Sequence, residues 1–262
     1  DIETTRISPI SGGTVERASG LRTLLREDYR QQQLSLVRGR NGILIVALLL
    51  GLFSIVFTIV RRNQSTAADA AITLRLQRRT HPIFNRLMHV VSWPGFPPQS
   101  RVIPPALSAM LFAFGFRLEA AFQLMAWGSS GISFFFKRIM RRSRPTTDFS
   151  GIRVAVARIG GTSFPSGHVL NYLGVYGFFT YLAYTWVHPA AIRRVVVGLL
   201  GGMLALVGPS RVYLGHHWFT DVTASYLLGL SWLIGLSSLY RRAKGWQYAR
   251  RRRFGEKRAP LW

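Results

Sequence analysis

Apolar positions in this chain fall into long uninterrupted runs separated by short polar stretches. A helix needs about 20 mostly apolar residues to cross roughly 30 Å of hydrocarbon. Residues 42–60 meet that demand and stop at Arg61 and Arg62. Further runs cover 102–116, 120–136, 168–187, 195–207 and 222–239. Pro104 and Pro105 stand near the start of the second run, where proline is tolerated. Arg117 and Glu119 mark a tight turn before the third, and the short fifth run extends back toward Ile192. The pattern predicts an all-α fold, a bundle of six transmembrane helices over 41–241, with a basic tail at 1–40 and another at 242–262.

Between the first two runs, residues 61–101 are too polar to cross. Ala70, Ile72, Leu74 and Leu76, followed by Ile83, Phe84, Leu87, Met88 and Val91, predict amphipathic helices at the membrane interface. Trp93 is expected at headgroup depth, and the segment is expected to cover or pack the bundle without a part in chemistry. Small residues (Gly198, Gly201 and Gly202 in the fifth run, Gly128, Ser129, Ser130 and Gly131 in the third) suit close helix packing.

Charge alters the picture next. The chain carries a formal net charge of +24 beside 48% hydrophobic residues. On a soluble protein such a charge suggests nucleic acid. Here no module for base stacking or groove reading is present, and nucleic acid is excluded as a partner. Clusters of Lys and Arg flanking apolar spans instead meet anionic headgroups. The run from Arg250 to Arg253 reads as a membrane-surface anchor of this kind. With no cysteine, disulfides and thiolate metal ligands are ruled out. Residues 1–40 hold no apolar run of the signal-peptide kind, and the sequence opens on Asp1, as expected of a chain trimmed or renumbered at its start.

Six spans place both tails on one side, and the tail side carries the larger share of cations. Tails in the cytoplasm are therefore expected. The loops after the third and fifth spans, and the start of the fourth, then share the opposite face.

That face receives three short segments with chemistry in them. Lys137 is followed, with six residues between, by Arg144 and Pro145; Pro165, Ser166, Gly167 and His168 are contiguous; five residues separate Ser210 and Arg211 from His217, and three more separate His217 from Asp221. A spacing of four puts His217 and Asp221 on one face if the chain is helical there. The carboxylate can then fix the imidazole's tautomer and raise the basicity of the other nitrogen, which suits a nucleophile toward phosphorus. Gly167 permits close backbone approach to a ligand. Ser166 either caps the following helix or donates its hydroxyl to a phosphoryl oxygen. His168, at a helix start that favours anions, is placed to protonate a leaving alkoxide and then activate water. Lys137, Arg144 and Arg211 supply charge for the equatorial oxygens of a transferring phosphoryl group. Arg138, Arg141 and Arg142 read as headgroup anchors, and His216 as an interfacial neighbour.

These three motifs, complete and in order across residues 42–240, resemble the type 2 phosphatidic acid phosphatase family, related to vanadium haloperoxidases. The resemblance implies six spans and an extracytoplasmic site. It makes His217 the nucleophile, Asp221 its partner and His168 the acid and base, with Lys137, Arg144, Ser166, Gly167 and Arg211 holding phosphate. It implies no metal and no other cofactor. The expected enzyme is a metal-independent lipid phosphatase of the bacterial plasma membrane. It would act on a polyprenyl diphosphate, phosphatidylglycerol phosphate or phosphatidic acid. The rivals are a lipid phosphotransferase on the same site and a non-catalytic lipid-binding or transport protein of this fold.

Overall fold

The computed structural model describes residues 41–145, 151–155 and 161–253. The basic tail at 1–40 and the end of the second tail, 254–262, lie outside the described residues. By its internal contacts the chain divides into Asp1–Leu44 and Ile45–Trp262. Of the first unit only the helical residues 41–44 are described, and all that follows concerns the second.

Every regular element among the described residues is helical. Three helices are long and apolar enough to cross a membrane: α1 (Asn41–Arg61), α9 (Ala190–Tyr213) and α10 (Phe219–Arg253). Ile45, Leu48 and Ile55 of α1, and Val195 and Leu199 of α9, stand exposed. Contiguous apolar surface of this extent needs lipid or a partner to cover it. Helix α9 begins ahead of the 195–207 run. Helix α10 continues through Arg242 as one helix, past the boundary expected for the second tail.

The other three runs take different forms. Residues 102–116 become α4 (Gln99–Ala113), with Pro104 and Pro105 inside it. The 120–136 run is broken into α5 (Arg117–Ala126) and α6 (Ser129–Met140). The 168–187 run is an unbroken helical stretch made of α7 (Gly167–Asn171), a π-helical turn (Tyr172–Tyr176) and α8 (Gly177–Trp186). The π turn lies against the break between α5 and α6. A Cβ at Gly174 would strike the Ala126 carbonyl and the Ser129 hydroxyl. Close packing at Gly128 and Ser129 is therefore real, with the Trp232 ring also against Gly128. For Gly131, Gly198, Gly201 and Gly202 the expectation fails, since a Cβ at each would meet nothing within 4 Å.

Pro209 sits inside α9, where it removes the N–H that would bond the Ala205 carbonyl. The Tyr226 hydroxyl of α10 repairs the gap. It lies 2.9 Å from that carbonyl and 2.8 Å from the Leu204 carbonyl, and accepts the Gly208 N–H at 3.0 Å.

Residues 61–101 hold α2 (Thr66–Gln77), α3 (Pro82–Ser92) and a 3₁₀ turn (Trp93–Gly95). Helix α2 buries Asp69, Thr73 and Gln77, spaced by four, while Ile72 is exposed. Its polar stripe faces inward. Gln77 donates to the carbonyls of Arg153 and Tyr213 at 2.7 and 2.8 Å, which ties α2 to the end of α9. Helix α3 packs inward through Met88 and Val91 and presents Ile83, Leu87 and Val90 outward.

Near the far end of α10, buried Glu119 accepts the Tyr240 hydroxyl at 2.8 Å and pairs with Lys244. Tyr240 is nineteen residues from Asp221. At 1.5 Å per residue that is roughly 28 Å, about one hydrocarbon thickness.

Because Gly174 lies against a backbone carbonyl that cannot rotate away, Gly174→Val is expected to destabilise the protein by about 1–3 kcal/mol. A melting curve in detergent reads this as a lowered Tm. An unchanged Tm would mean that the π turn and the break do not bear on each other.

Candidate active site

The turn that carries His217 is shaped by the end of α9. Gly215, at φ 70, adopts the left-handed conformation that ends a helix. Its N–H bonds the Val212 carbonyl at 3.0 Å, and the His216 N–H bonds the Arg211 carbonyl at 3.0 Å. These are the paired bonds of a Schellman motif. The His217 N–H reaches the same Arg211 carbonyl at 3.3 Å. The five residues between Arg211 and His217 are thus a helix cap. It turns the chain so that guanidinium and imidazole return to one place.

Helical spacing was the expected reason for His217 to meet Asp221, and here the structure differs. His217 lies in the turn, and α10 starts only at Phe219. Asp221 occupies the third position of α10, and its Oδ2 accepts the Trp218 N–H at 2.9 Å. A carboxylate there reaches back over the first turn, as in a capping box. The His217 Nδ1 lies 3.6 Å from the same Oδ2, an ion-pair distance longer than a hydrogen bond. On the other side of the ring, Arg144 Nη1 sits 3.1 Å from Nε2 and donates to the His216 carbonyl at 2.7 Å. Guanidinium is a donor only, so Nε2 is the accepting nitrogen and the ring proton belongs on Nδ1, facing Asp221.

Arg142 is not a headgroup anchor. It lies between two fully buried carboxylates, 2.6 Å from Asp221 Oδ1 and 2.6 Å from Asp69 Oδ2. It also reaches Thr220 Oγ1 at 2.8 Å and Ser65 Oγ at 3.1 Å. Asp69 in turn accepts the Thr220 N–H at 2.9 Å and its hydroxyl at 2.7 Å. One α2 carboxylate therefore caps α10 and anchors the arginine that holds Asp221. Periodicity in 61–101 missed this. The available signal was Asp69 itself, the one acidic residue in that segment.

The cations come together around His217. Burial, then the charges of Arg144, Arg211 and Lys137, keep its imidazole well below the usual histidine range, so it stays neutral. His216, also buried, is pushed down to about 3, first by burial and then by Arg211 and Arg144. Lys137 donates to the Thr162 carbonyl at 2.6 Å, and burial with the nearby Arg144 lowers it to about 8.

Arg211 is fully buried. Its Nη1 donates to Ser92 Oγ at 2.7 Å, and its guanidinium lies over the Phe96 ring, 4.8 Å from the centroid. Among the described residues no carboxylate pairs with it. Phe96 also meets His168 edge to face at 4.8 Å and His216 at 5.8 Å. A Cβ at Gly95 would collide with the His168 ring, so glycine is required there. Ser92, Gly95 and Phe96 thus join the site from a segment expected to take no part in it.

Ser166 gives no side-chain cap to α7. Its N–H goes to Ser225 Oγ at 2.7 Å, and its buried hydroxyl has no partner within the protein. The same holds for His168 Nε2 and Arg211 Nε. Buried polar atoms are normally hydrogen-bonded, so such a group in one place marks a site for something else. The structure brings together Lys137, Arg144, Arg211, His217 and Asp221, with Ser166 joined to Asp221 through Ser225. Gly167 opens α7 beside Ser133, 3.2 Å from where its Cβ would be.

A model of the PAP2 superfamily matches residues 118–244. Phosphatidylglycerophosphatase B of Bacillus subtilis (strain 168) is 28% identical over 180 residues, which are 68% of this chain and 86% of that protein. The crystal structure of a transmembrane PAP2 type phosphatidylglycerolphosphate phosphatase from Bacillus subtilis superposes with a TM-score of 0.65 at 24% identity, over 75% of this chain and 96% of that one. At that identity the likeness is one of fold. Fold and composition define a helical membrane protein. Over residues 118–244 the chain is similar to the PAP2 superfamily, and the relatives it resembles are phosphatases. Asp69, Ser92, Gly95 and Phe96 all fall ahead of the matched residues.

Taking one partner from a buried ion pair leaves the other charge uncompensated, at about 3 kcal/mol or more. Asp69→Asn is therefore expected to destabilise the protein by about 3 kcal/mol, read by denaturant or thermal melting against wild type. A change below about 0.5 kcal/mol would remove Asp69 from the network.

Proposed function

We propose that this protein is an integral membrane lipid phosphatase that cleaves a phosphomonoester or terminal diphosphate through a phosphohistidine on His217. The observation that carries the reading is Arg211, a buried cation beside two histidines that has no carboxylate partner among the described residues. Burial of an uncompensated charge is unfavourable. A phosphate dianion supplies the missing counter-charge, with Lys137 and Arg144 completing the ring around its oxygens.

The steps follow from the atoms in place. Arg144 transfers its hydrogen bond from His217 Nε2 to a phosphoryl oxygen, which frees the lone pair. Nε2 then attacks phosphorus in line, the bond from phosphorus to the ester oxygen breaks, and His168 gives its proton to the departing oxygen. Asp221, held by Arg142 and the Trp218 N–H, balances the positive charge that develops on the imidazole. In the second half His168 takes a proton from water as the water oxygen attacks the phosphohistidine. Inorganic phosphate leaves and His217 is restored. Ser166 and the backbone at Gly167 hold the remaining oxygens. Each charge needed comes from a side chain, so turnover should persist in the presence of a chelator.

The substrate we propose is a polyprenyl diphosphate, phosphatidylglycerol phosphate or phosphatidic acid. The apolar length of 219–250 in α10, and Glu119 with Lys244 about a bilayer thickness from Asp221, support six spans with α4, the α5–α6 pair and the 167–186 stretch as the remaining three. In that arrangement α2 and α3 lie at the outer interface, the site opens outward and the tails lie in the cytoplasm of a bacterial cell.

With phosphatidic acid or phosphatidylglycerol phosphate in detergent and a chelator, wild type should release inorganic phosphate and His217→Ala should fall to background. Near-normal release by the variant would reassign the nucleophile, and loss of wild-type activity in chelator would refute the metal-free route. The pH profile provides a separate check. Lysine attracts the dianion only while protonated, and Lys137 loses its proton near pH 8 in the free enzyme. Since kcat/KM reports free-enzyme groups, it should decline above about pH 8. Lys137→Arg should shift that decline upward, and an unmoved limb would assign it to another group.

A further inference from the structure

We propose that a groove between α2, α9 and α10 binds an anionic diacyl phospholipid as a ligand distinct from the substrate. The groove has a volume of about 530 Å3, and its floor is apolar: Ala205, Pro209, Val212, Val222 and Tyr226. It follows the Pro209 interruption, where Tyr226 turns its hydroxyl into α9 to serve the unpaired carbonyl and leaves its ring along the groove. From Ala205 to Val212 the groove runs about 10 Å along α9, a third of the hydrocarbon thickness. Two of its walls, α9 and α10, are helices able to cross a membrane. Ile72 and Phe219 line it with 37% and 44% of their surface uncovered, so its rim is apolar as well.

The third wall supplies the charge. Arg75 and Arg79, one turn apart on and just beyond α2, line the same groove. The carboxylates nearest in sequence and fold are committed elsewhere: Asp69 and Asp221 to Arg142, and Glu119 to Lys244. Among the described residues neither arginine has a carboxylate partner. An apolar trough about 10 Å long with two guanidinium forks along it matches an amphiphile that carries a phosphodiester head on an acyl chain. None of Lys137, Arg144, Ser166, Gly167, His168, Arg211 and His217 lines the groove. A lipid seated there would present its phosphate to Arg75 and Arg79, away from the reacting histidine. Because Asp69 lies on the inner face of the same helix, an occupied groove also braces the helix that positions Arg142.

The test measures lipid binding and does not depend on the phosphatase reading. The full chain, delipidated in detergent, is incubated with equal amounts of phosphatidylinositol and phosphatidylcholine. Orthovanadate is present throughout to occupy the phosphate site, and bound lipid is read by native mass spectrometry. Wild type should retain one phosphatidylinositol with a preference of about fivefold or more over phosphatidylcholine. The Tm should rise with phosphatidylinositol more than with phosphatidylcholine, as binding to the folded state requires. R75Q with R79Q, both surface changes, should abolish the preference. Ala205→Trp, which fills the groove, should abolish retention of either lipid. The proposal is overturned if wild type shows no preference, if the double variant keeps it, or if folded Ala205→Trp retains phosphatidylinositol as wild type does.

Discussion

One arginine between two buried carboxylates holds the catalytic end of this protein together. Arg142 bridges Asp69 on α2 to Asp221 on α10, both fully buried and both 2.6 Å away. In a chain of net charge +24, residues 41–253 contain only four carboxylates. The three that are described, Asp69, Glu119 and Asp221, are all buried and all paired. Acidic residues are therefore placed where their charge is needed inside. Removing either partner of such a pair leaves a bare charge in a low dielectric. The fold of α2 against α10 and the orientation of Asp221 toward His217 are consequently one structural fact.

The same accounting leaves the cations of the site in excess. Arg144 rests on a neutral imidazole and Arg211 on a hydroxyl and an aromatic face. Lys137 rests on a carbonyl. None of these partners cancels a charge. The repulsion among them is stored in the folded protein, and in the function we propose a phosphate anion relieves it. Relief is greatest when negative charge spreads over the equatorial oxygens, which is how preorganised donors favour a transition state over a ground state.

What could be read in the sequence was whatever repeats a fixed spacing. The apolar runs located α1, α9 and α10, and the three motifs located residues that the fold brings together. The reasons were less legible. The interval between Arg211 and His217 works because Gly215 closes a helix, and Asp221 meets His217 across the start of α10 without helical spacing between them. Residues 61–101 were the least legible. Apolar periodicity in α2 drew attention to Ile72 and Leu74, while the informative stripe was the polar one, Asp69, Thr73 and Gln77. Beside a membrane the usual logic inverts, because lipid can cover an apolar face and only protein can satisfy a buried carboxylate. Phe96 and Gly95 carry no motif at all. Their role follows from contact with His168, which no local pattern encodes.

Helix ends explain why the site forms where it does. The 167–186 stretch and α10 both begin at the site, and a helix start presents unpaired N–H groups and the positive end of its dipole. Three of those N–H groups are already bonded: Ser166 N–H by Ser225, Trp218 N–H by Asp221, Thr220 N–H by Asp69. Helix α9 ends at the site and would bring its negative pole, yet its last carbonyls are tied off by the Gly215 turn, with Arg211's own carbonyl accepting from both His216 and His217. In the function we propose, the backbone at Gly167 is therefore joined by side chains in holding the anion, Ser166 Oγ, Arg211 and Arg144 above all. The displacement we propose needs Arg144 to move and uncover His217 Nε2, which a side chain can do and a backbone cradle cannot. A site of the proposed kind, which must release its nucleophile on substrate arrival, is better built from guanidinium groups than from helix N–H groups alone.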